Sequence, residues 1–283
     1  MIFDVCVVGP ITKDVVIVKG KKGERIGGTV YYSSLTLKKF NLNVCIFTKL
    51  NKNDLYLLKE LDENNIKIFY KFSKETEIFY NIYEENVDKR IQEVYGTIEK
   101  IKYEDIKDIN AKVFYFGPLL KEDIDINIYE ILKKEKNVKI VLDIQGYLRE
   151  KINNKIILKK LEDISFLEYI DILKLNEEEA KIISGKDSLE EAGKFLSEYS
   201  KEVVITAGSK GSIICYNKKT IKIPVFKPRK VIDSTGCGDI YTSVYLAMRL
   251  KGFSPESSGL LASIVSGINV EKGGFYIPFE FKF

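Results

Sequence analysis

The sequence contains no histidine, the side chain most often used for acid–base catalysis near neutral pH. Without histidine, a catalytic zinc site of the ordinary kind would also lack its usual nitrogen ligand. The four cysteines, Cys6, Cys45, Cys215 and Cys237, are scattered and form no C-x-x-C pair, so the spacing of a structural zinc site is missing. Proton transfer would therefore fall to carboxylates, lysine, tyrosine or cysteine.

Long apolar runs and a one-sided charge are absent as well. No stretch of about eighteen apolar residues is present, and no signal-peptide pattern is seen, so we expect a cytoplasmic protein without a membrane partner. The 45 basic and 41 acidic residues nearly balance. No basic patch with interleaved aromatic residues occurs, so the charge does not indicate a nucleic-acid partner. The Walker A and protein-kinase H-R-D motifs are also missing.

The sequence does contain a regular alternation of strand-like and helix-like segments. This alternation predicts an α/β fold with a mainly parallel sheet covered on both faces. No linker or internal repeat interrupts it, so we predict one domain over residues 1–283. Two segments, at about 14–28 and 76–98, look β-rich and are predicted to form a small separate sheet. Strands are predicted near 2–8, 43–49, 112–117, 138–143, 170–175, 202–206, 212–216 and 221–226, and helices near 29–40, 53–64, 125–136, 176–184, 188–199, 238–251 and 254–269.

The most informative stretch is Asp233-Ser-Thr-Gly-Cys-Gly-Asp239, called the signature turn below. An apolar helical pattern follows it, so the turn opens a helix. Gly236 and Gly238 lack Cβ, so the backbone can approach a ligand, and the amides of residues 236–238 can form an anion pocket that the helix dipole reinforces. Asp239 is placed to accept a proton from a hydroxyl held there. The pattern favours phosphoryl transfer; the alternative is an ordinary capped helix in which Asp239 complements the dipole.

Further short elements occur along the chain in a fixed order. Taken singly, each has a plain structural explanation: Asp14 as a residue of a solvated turn, the glutamates ending at Glu179 as complements of a helix dipole, and the loop ending at Gly211 as a hairpin turn. Taken together, they form an ordered set that chance does not explain. The elements are Asp14 after the first strand, Gly27-Gly28 before a helical run, Asn176-Glu-Glu-Glu179 after a strand and Thr206-Ala-Gly-Ser-Lys-Gly211 after another strand.

With the signature turn, this ordered set resembles the ribokinase family, also called the PfkB carbohydrate kinases, whose usual signature is D-T-T-G-A-G-D. Here Ser234 and Cys237 replace the commoner threonine and alanine. The resemblance implies a ribokinase-like three-layer α/β/α sandwich with a small β-sheet lid that can also form a homodimer contact. It implies an ATP-dependent, Mg²⁺-requiring kinase that phosphorylates a hydroxyl of a sugar or polyol, with Asp239 as the catalytic base.

The resemblance also assigns roles to the other elements. Asp14 would accept hydrogen bonds from substrate hydroxyls, and Gly27 and Gly28 would let the lid hinge bend and the substrate lie against the backbone. Asn176 would organise the metal and phosphates, with Glu179 acting on the metal through water. The implied nucleotide-binding residues are Thr206, Gly208 and Gly211.

A narrower resemblance concerns the substrate. The stretches Asp143-Ile-Gln-Gly-Tyr-Leu-Arg149 and Gly27-Gly-Thr-Val-Tyr-Tyr-Ser33 are similar to archaeal family members that phosphorylate myo-inositol. Gln145 can donate and accept hydrogen bonds, and Arg149 can bind phosphate bidentately, so both are candidate substrate-binding residues. A plain turn residue is the alternative for Gln145.

Several functional alternatives stay open. Other acceptors are a nucleoside, ribose, a ketohexose phosphate or a hydroxymethylpyrimidine-like compound. A catalytically silent nucleotide- or sugar-binding regulator on the same fold is the rival from another class. A thiolate nucleophile at Cys237 lacks a histidine partner, and a Rossmann dehydrogenase would need a G-x-G-x-x-G stretch after the first strand, which is missing.

Overall fold

The computed structural model describes residues 2–18, 20–83, 90–273 and 275–277 of the chain. The strands are β1 (Phe3–Val8), β2 (Thr12–Val18), β3 (Lys21–Gly27), β4 (Val44–Leu50), β5 (Lys67–Phe72), β6 (Ile78–Tyr83), β7 (Arg90–Tyr95), β8 (Ala111–Phe116), β9 (Lys139–Asp143), β10 (Arg149–Ile152), β11 (Lys155–Leu158), β12 (Ile172–Asn176), β13 (Glu202–Thr206), β14 (Ser212–Tyr216) and β15 (Lys219–Ile223). The α-helices are α1 (Thr29–Lys39), α2 (Lys59–Glu63), α3 (Tyr103–Ile106), α4 (Ile128–Lys136), α5 (Glu177–Ser184), α6 (Leu189–Leu196), α7 (Cys237–Leu250) and α8 (Pro255–Lys272).

A large sheet forms the middle layer. Its strand order among the described residues is β15-β14-β13-β12-β9-β8-β1-β4-β5. All neighbours from β13 to β5 pair in parallel, whereas β14 runs antiparallel to both β13 and β15. Parallel strands are stable when helices cover both of their faces. The predicted α/β fold with a mainly parallel sheet is therefore confirmed.

Two apolar layers lie on opposite faces of this sheet. In β1, Cys6 and Val8 pack on the side of α4, α5 and α6, while Val5 and Val7 pack on the side of α1, α7 and α8. All four side chains are fully buried, which explains why this strand reads as a continuous apolar run instead of an alternating one. Among the described residues, no helix has the length and apolar character needed to cross a bilayer.

A second, six-stranded sheet forms the lid. Its order is β10-β11-β7-β6-β2-β3, and its pairs are antiparallel except β2 with β6. It consists of three hairpins, β2–β3, β6–β7 and β10–β11, which follow core strands β1, β5 and β9 along the chain. Phe79 and Val94 of the lid pack with Leu119 and Leu120 from the loop after β8. This small core fastens the lid to the main domain.

The structure corrects several predicted elements. The third lid hairpin, β10–β11, and the edge strand β5 were not predicted. The predicted helix at 53–64 is a 3₁₀-helix, Lys52–Leu58, followed by the short α2, because the Asn51 side chain accepts a hydrogen bond from the Asn53 amide and starts a tight turn. The strand predicted at 221–226 is Lys219–Ile223, since Pro224 has no N–H to continue the ladder.

Candidate active site

A first cavity of about 540 Å³ opens at the carboxyl edge of the parallel strands, under the lid. Asp143, Asn176 and Thr206 are the last residues of β9, β12 and β13, and all three line it. The signature turn and the lid supply most of the remaining walls. Open α/β sheets bind ligands at this edge because the loops that leave neighbouring strands surround a crevice there.

Asp239 lies in the first turn of α7 and lines this cavity, although only 9% of the residue is exposed. Its Oδ1 is buried and, among the described residues, has no hydrogen-bond partner of good geometry. Burial raises the pKa of Asp239 to about 7, and the charge of Asp143 adds to this rise, whereas Lys174 and the Thr29 hydroxyl oppose it. A carboxylate with this pKa and an unused oxygen is suited to taking a proton from a bound hydroxyl.

The signature turn opens α7 and contributes lining residues to the first cavity. Gly236 is the N-cap residue in the left-handed region, with φ of 74°, and Gly236 and Gly238 line the first cavity. The N–H of Cys237, predicted as a third anion-binding amide, instead donates to the carbonyl of Ser234 at 3.2 Å. Burial also raises the pKa of the Cys237 thiol to about 12. Cys237 is therefore no activated thiolate.

Lid residues form the opposite side of the first cavity. Asp14 lies on β2 and is 6% exposed, so the alternative of a solvated turn residue is wrong. Gly27 makes room for it, because a Cβ at that position would overlap the Asp14 carboxylate. Asn81 and Gln92 face each other across β6 and β7, where Gln92 Nε2 donates to Asn81 Oδ1 at 2.9 Å. These side chains give the cavity a dense set of hydrogen-bonding groups.

A buried ion pair lies at the floor of the first cavity. Lys174 Nζ donates to Oδ2 of Asp143 at 2.8 Å, and the two side chains are 6% and 0% exposed. Burial disfavours the ammonium, but the charges of Asp143 and Glu179 outweigh burial and raise the pKa of Lys174. The lysine therefore keeps its positive charge inside the site.

A second cavity, of about 550 Å³, adjoins the first at the signature turn. The two cavities share Thr206, Val231, Ser234 and Gly238 as lining residues. The glycine loop after β13 forms one wall, and it is also the hairpin turn between β13 and β14. The nucleotide-binding role that the resemblance implies for this loop stays a prediction. The rest of the lining is largely apolar and includes Val225, Phe226, Pro228, Tyr241 and Val270.

Asn176 and Glu179 form a reciprocal cap at the start of α5. Asn176 Oδ1 accepts from the Glu179 amide at 2.8 Å, and Glu179 Oε2 accepts from the Asn176 amide at 2.7 Å. Asn176 lines the first cavity. Among the described residues, no group of three or more Cys, Asp or Glu side chains is placed to hold a metal. The cap thus fixes Asn176 at the edge of the first cavity.

The sequence profile of the pfkB family carbohydrate kinases matches residues 25–282. The chain belongs to the PfkB family. Membership makes it a phosphotransferase that acts on a hydroxyl acceptor and, with the two-sheet architecture described above, a ribokinase-like protein. Kinases of this family generally use ATP with Mg²⁺.

Relatives of this PfkB protein differ in what they act on. The nucleoside kinase of Methanocaldococcus jannaschii is 26% identical over 256 residues, which cover 88% of this chain and 80% of that protein. A pyrophosphate-dependent ribokinase-family kinase, solved with a pyrophosphate analog and myo-inositol, has a TM-score of 0.87 at 21% identity, with 96% of each chain covered. Arabidopsis thaliana ribokinase, solved with ribose and ATP, has a TM-score of 0.73 at 18% identity, covering 97% of this chain and 95% of that one. Both structures share the fold.

Most predicted site residues of the PfkB protein come together around the two cavities. Gly27 and Glu179 line neither cavity and instead support Asp14 and Asn176. The residues on the first cavity are Asp14, Gly28, Gln145, Arg149, Asn176, Thr206, Gly236, Gly238 and Asp239. Those on the second are Thr206, Gly208, Gly211, Cys237 and Gly238.

Arg25 is a residue of the PfkB site that the sequence did not single out. It lies on β3 of the lid and donates through Nη1 to Asp233 Oδ2 and through Nη2 to Thr235 Oγ1, the latter at 2.8 Å. Asp233 Oδ1 in turn accepts from the amide of Thr235 at 2.9 Å. The lid is thus tied directly to the signature turn. The available signal was position, since Arg25 lies two residues before the Gly27-Gly28 pair.

We expect Arg25→Met to lower kcat/KM by about 10- to 100-fold, as charged hydrogen bonds contribute about 1.5–3 kcal/mol. The reason is that both the lid and the signature turn lose a shared anchor. Steady-state kinetics on the variant measures this. Lys13→Met is the matched control, because Lys13 joins the lid to Asp54 of the core at 2.6 Å without touching the signature turn. Equal losses in both variants would mean that Arg25 acts only by holding the lid.

Proposed function

We propose that this protein transfers the γ-phosphoryl group of ATP to a hydroxyl of a small polyol such as myo-inositol. The observation that carries the proposal is the meeting of a polar and an apolar cavity at the signature turn, with Asp239 on the polar side. A kinase needs its acceptor hydroxyl and its donor phosphate on either side of one transfer point. The shared lining at Gly238 offers that point.

The first cavity supports a polyhydroxylated acceptor. The carboxylate of Asp14 accepts hydrogen bonds, while the amides of Asn81, Gln92 and Gln145 both accept and donate them. A ring bearing many hydroxyls can exchange hydrogen bonds with such groups, whereas an apolar acceptor would displace water from them and offer none, at a cost of about 1–3 kcal/mol for each buried polar group. The myo-inositol in the structurally similar pyrophosphate-dependent kinase agrees with this acceptor class.

The second cavity supports a nucleotide donor. Its apolar side chains, among them Val225, Phe226 and Val270, suit the flat faces of a purine base. The base would lie there while the phosphates extend toward Gly238 and the start of α7, where amides and the helix dipole favour anions. Pyrophosphate has no apolar part and would leave this cavity unused.

In the proposed reaction, Asp239 takes the proton from the acceptor hydroxyl as its oxygen attacks the γ-phosphorus. The amides of Gly236 and Gly238 stabilise the negative charge that develops on the phosphoryl oxygens. When bound, Mg²⁺ would neutralise charge on the donor phosphates, held through water by Asn176, whose position the cap with Glu179 fixes. The lid would exclude water, which would otherwise compete as an acceptor.

Product formation with a panel of acceptors and two donors tests this function. Purified protein is mixed with MgATP or Mg-pyrophosphate and with myo-inositol, ribose, fructose 6-phosphate, adenosine, cytidine or hydroxymethylpyrimidine. Phosphorylated product is then quantified. We expect turnover with MgATP and myo-inositol. Turnover with adenosine or cytidine and with none of the other acceptors would instead favour a nucleoside kinase, as in the Methanocaldococcus jannaschii relative.

Pyrophosphate is the specific alternative to ATP as the phosphoryl donor, since a structurally similar kinase is pyrophosphate-dependent. Val270→Phe places a ring in the second cavity and keeps the backbone carbonyl of residue 270, which accepts from the amide of Asp233 at 3.4 Å. Overfilling a packed site costs about 1–3 kcal/mol, so we expect the KM of ATP to rise by about tenfold or more. The kcat should stay near that of the native protein. Ile264→Phe, at a 39% exposed position on the same helix, is the matched control. An unchanged KM of ATP would place the donor elsewhere.

The predicted homodimer contact through the lid and the cytoplasmic location rest on the resemblance and on composition, and they stay predictions. So does the organisation of the chain as one kinase domain.

A further inference from the structure

Lys174 is a buried cation beside the signature turn that the proposed reaction has not yet used. It lies on β12, two residues before Asn176, and 5% of the residue is exposed. A methyl group built on Gly238 would lie 3.0 Å from its Nζ, so the ammonium is next to the start of α7. Lys174 also lines the first cavity together with Gly238 and Asp239.

The ammonium retains hydrogen-bonding capacity. It carries three N–H donors, and in the described part of the chain its one hydrogen-bond partner is Oδ2 of Asp143. A buried donor without a partner costs free energy. The remaining donors are therefore available to an anion that enters the first cavity.

Asp143 fixes the position of this ammonium. The carboxylate is fully buried, and its second oxygen, Oδ1, accepts from the amide of Gln145 at 3.1 Å. Both oxygens are thus engaged, one by the backbone of the turn after β9 and the other by Lys174. A cation held in this way needs no rearrangement when charge develops next to it, which is the condition for effective electrostatic stabilisation.

We propose that Lys174 is a catalytic residue whose ammonium binds the phosphoryl group during transfer, beside the amides of Gly236 and Gly238, with Asp143 as its positioning residue. This rests on the proposed function, which places transfer at the signature turn. The bond from the acceptor oxygen to phosphorus forms as the bond to the leaving ADP oxygen breaks, and ADP keeps that electron pair. The acceptor proton goes to Asp239. Lys174 neither gains nor loses a proton.

Variants of the ion pair separate this role from simple charge neutralisation. Removing one partner of a buried pair destabilises a protein strongly, whereas removing both is often nearly neutral. Lys174→Met, Asp143→Asn and the double variant are therefore compared by thermal unfolding, by kcat, and by calorimetric binding of MgATP and of AMP without acceptor. The binding measurements need no turnover, so they test Lys174 even if the acceptor proposal fails.

We expect Lys174→Met to weaken MgATP binding by about 10- to 100-fold and AMP binding by less than about twofold, because AMP lacks the transferred group. Its kcat should fall by about 100-fold or more. The double variant should regain thermal stability but not activity. The matched control is the pair Lys133 and Asp171, near the opposite end of β12, whose Met and Asn variants should change stability only. Native kcat and MgATP affinity in the double variant, or in Lys174→Met alone, would overturn the proposal.

Discussion

Asp239→Asn is expected to lower kcat by about 10²- to 10⁴-fold, the usual contribution of a positioned general base. Asparagine keeps the shape of the side chain but cannot take a proton. The loss should appear in kcat with little change in the affinity for MgATP, since the carboxylate acts on the acceptor hydroxyl. Steady-state kinetics combined with calorimetric ATP binding measures both quantities. Turnover equal to that of the native protein would exclude Asp239 as the base.

The pH dependence of activity should also reflect the role of Asp239 as the general base. Because burial raises the pKa of Asp239 to about 7, the carboxylate is mostly protonated at pH 6 and mostly ionised at pH 8. The kcat/KM of the native protein should therefore rise with pH through an apparent pKa near 7 and then level off. The variant should lack this rise. A flat profile in the native protein between pH 6 and 8 would contradict the assignment.

Thermal stability distinguishes loss of the base from loss of the fold. The folded pKa of Asp239 is raised, so its contribution to stability is complete below pH 4 and declines as the pH rises through 7. At pH 8 the native protein holds a buried charge that Asp239→Asn lacks. The variant should then be more stable by roughly 2–4 kcal/mol, and the two should be equal near pH 4. Asp187→Asn, at an exposed position, should change neither stability nor kcat.

Gly236→Ala is the second substitution with a large expected effect, a fall in kcat of about 10²- to 10³-fold, comparable to losing a transition-state donor. Gly236 has φ of 74°, and an added Cβ would lie 2.6 Å from the ring of Tyr32. The first turn of α7 must shift to relieve this contact. The amides that face the first cavity then move away from the phosphoryl oxygens. Kinetics under saturating substrates measures the loss.

A glycine at the other end of the same helix provides the control. Gly252 follows α7 with φ of 87°, and nothing lies within 4 Å of a Cβ built on it. Alanine there carries the same backbone strain, about 1–2 kcal/mol, without disturbing a ligand site. Gly252→Ala should therefore lower the melting temperature and leave kcat unchanged. If both variants lost activity equally, strain in α7 rather than the geometry of the turn would be responsible.

The site residues that lie close together in the sequence could be predicted from the sequence. The two glycines and Asp239 lie within one turn, and Asn176 and Glu179 lie within one helix start, so spacing along the chain fixes their geometry. The alternation of strands and helices then predicted the main sheet. These predictions needed no knowledge of which segments meet in space.

The site residues that are placed by contacts between distant segments of the chain could not be predicted from the sequence. Lys174 meets Asp143 across 31 residues, and Arg25 meets Asp233 across 208. The third lid hairpin did leave a local signal, since Asn153 and Asn154 both have positive φ and asparagine is common in such two-residue turns. Its strands have only four residues each, too few for a clear periodicity.

The division of the lid into three hairpins has a consequence for folding. The hairpins follow β1, β5 and β9, so no continuous segment of chain contains the lid. The hairpins can pair with one another, through β2 with β6 and β7 with β11, only after the core sheet has brought those three carboxyl ends together, because loop closure over such separations is costly before core contacts form. We therefore expect the assembled lid to be the last cooperative unit to form and the first to open. In a hydrogen-exchange experiment, its amide protons should exchange with solvent by local opening while the parallel strands stay closed, and equal protection in the two sheets would contradict this.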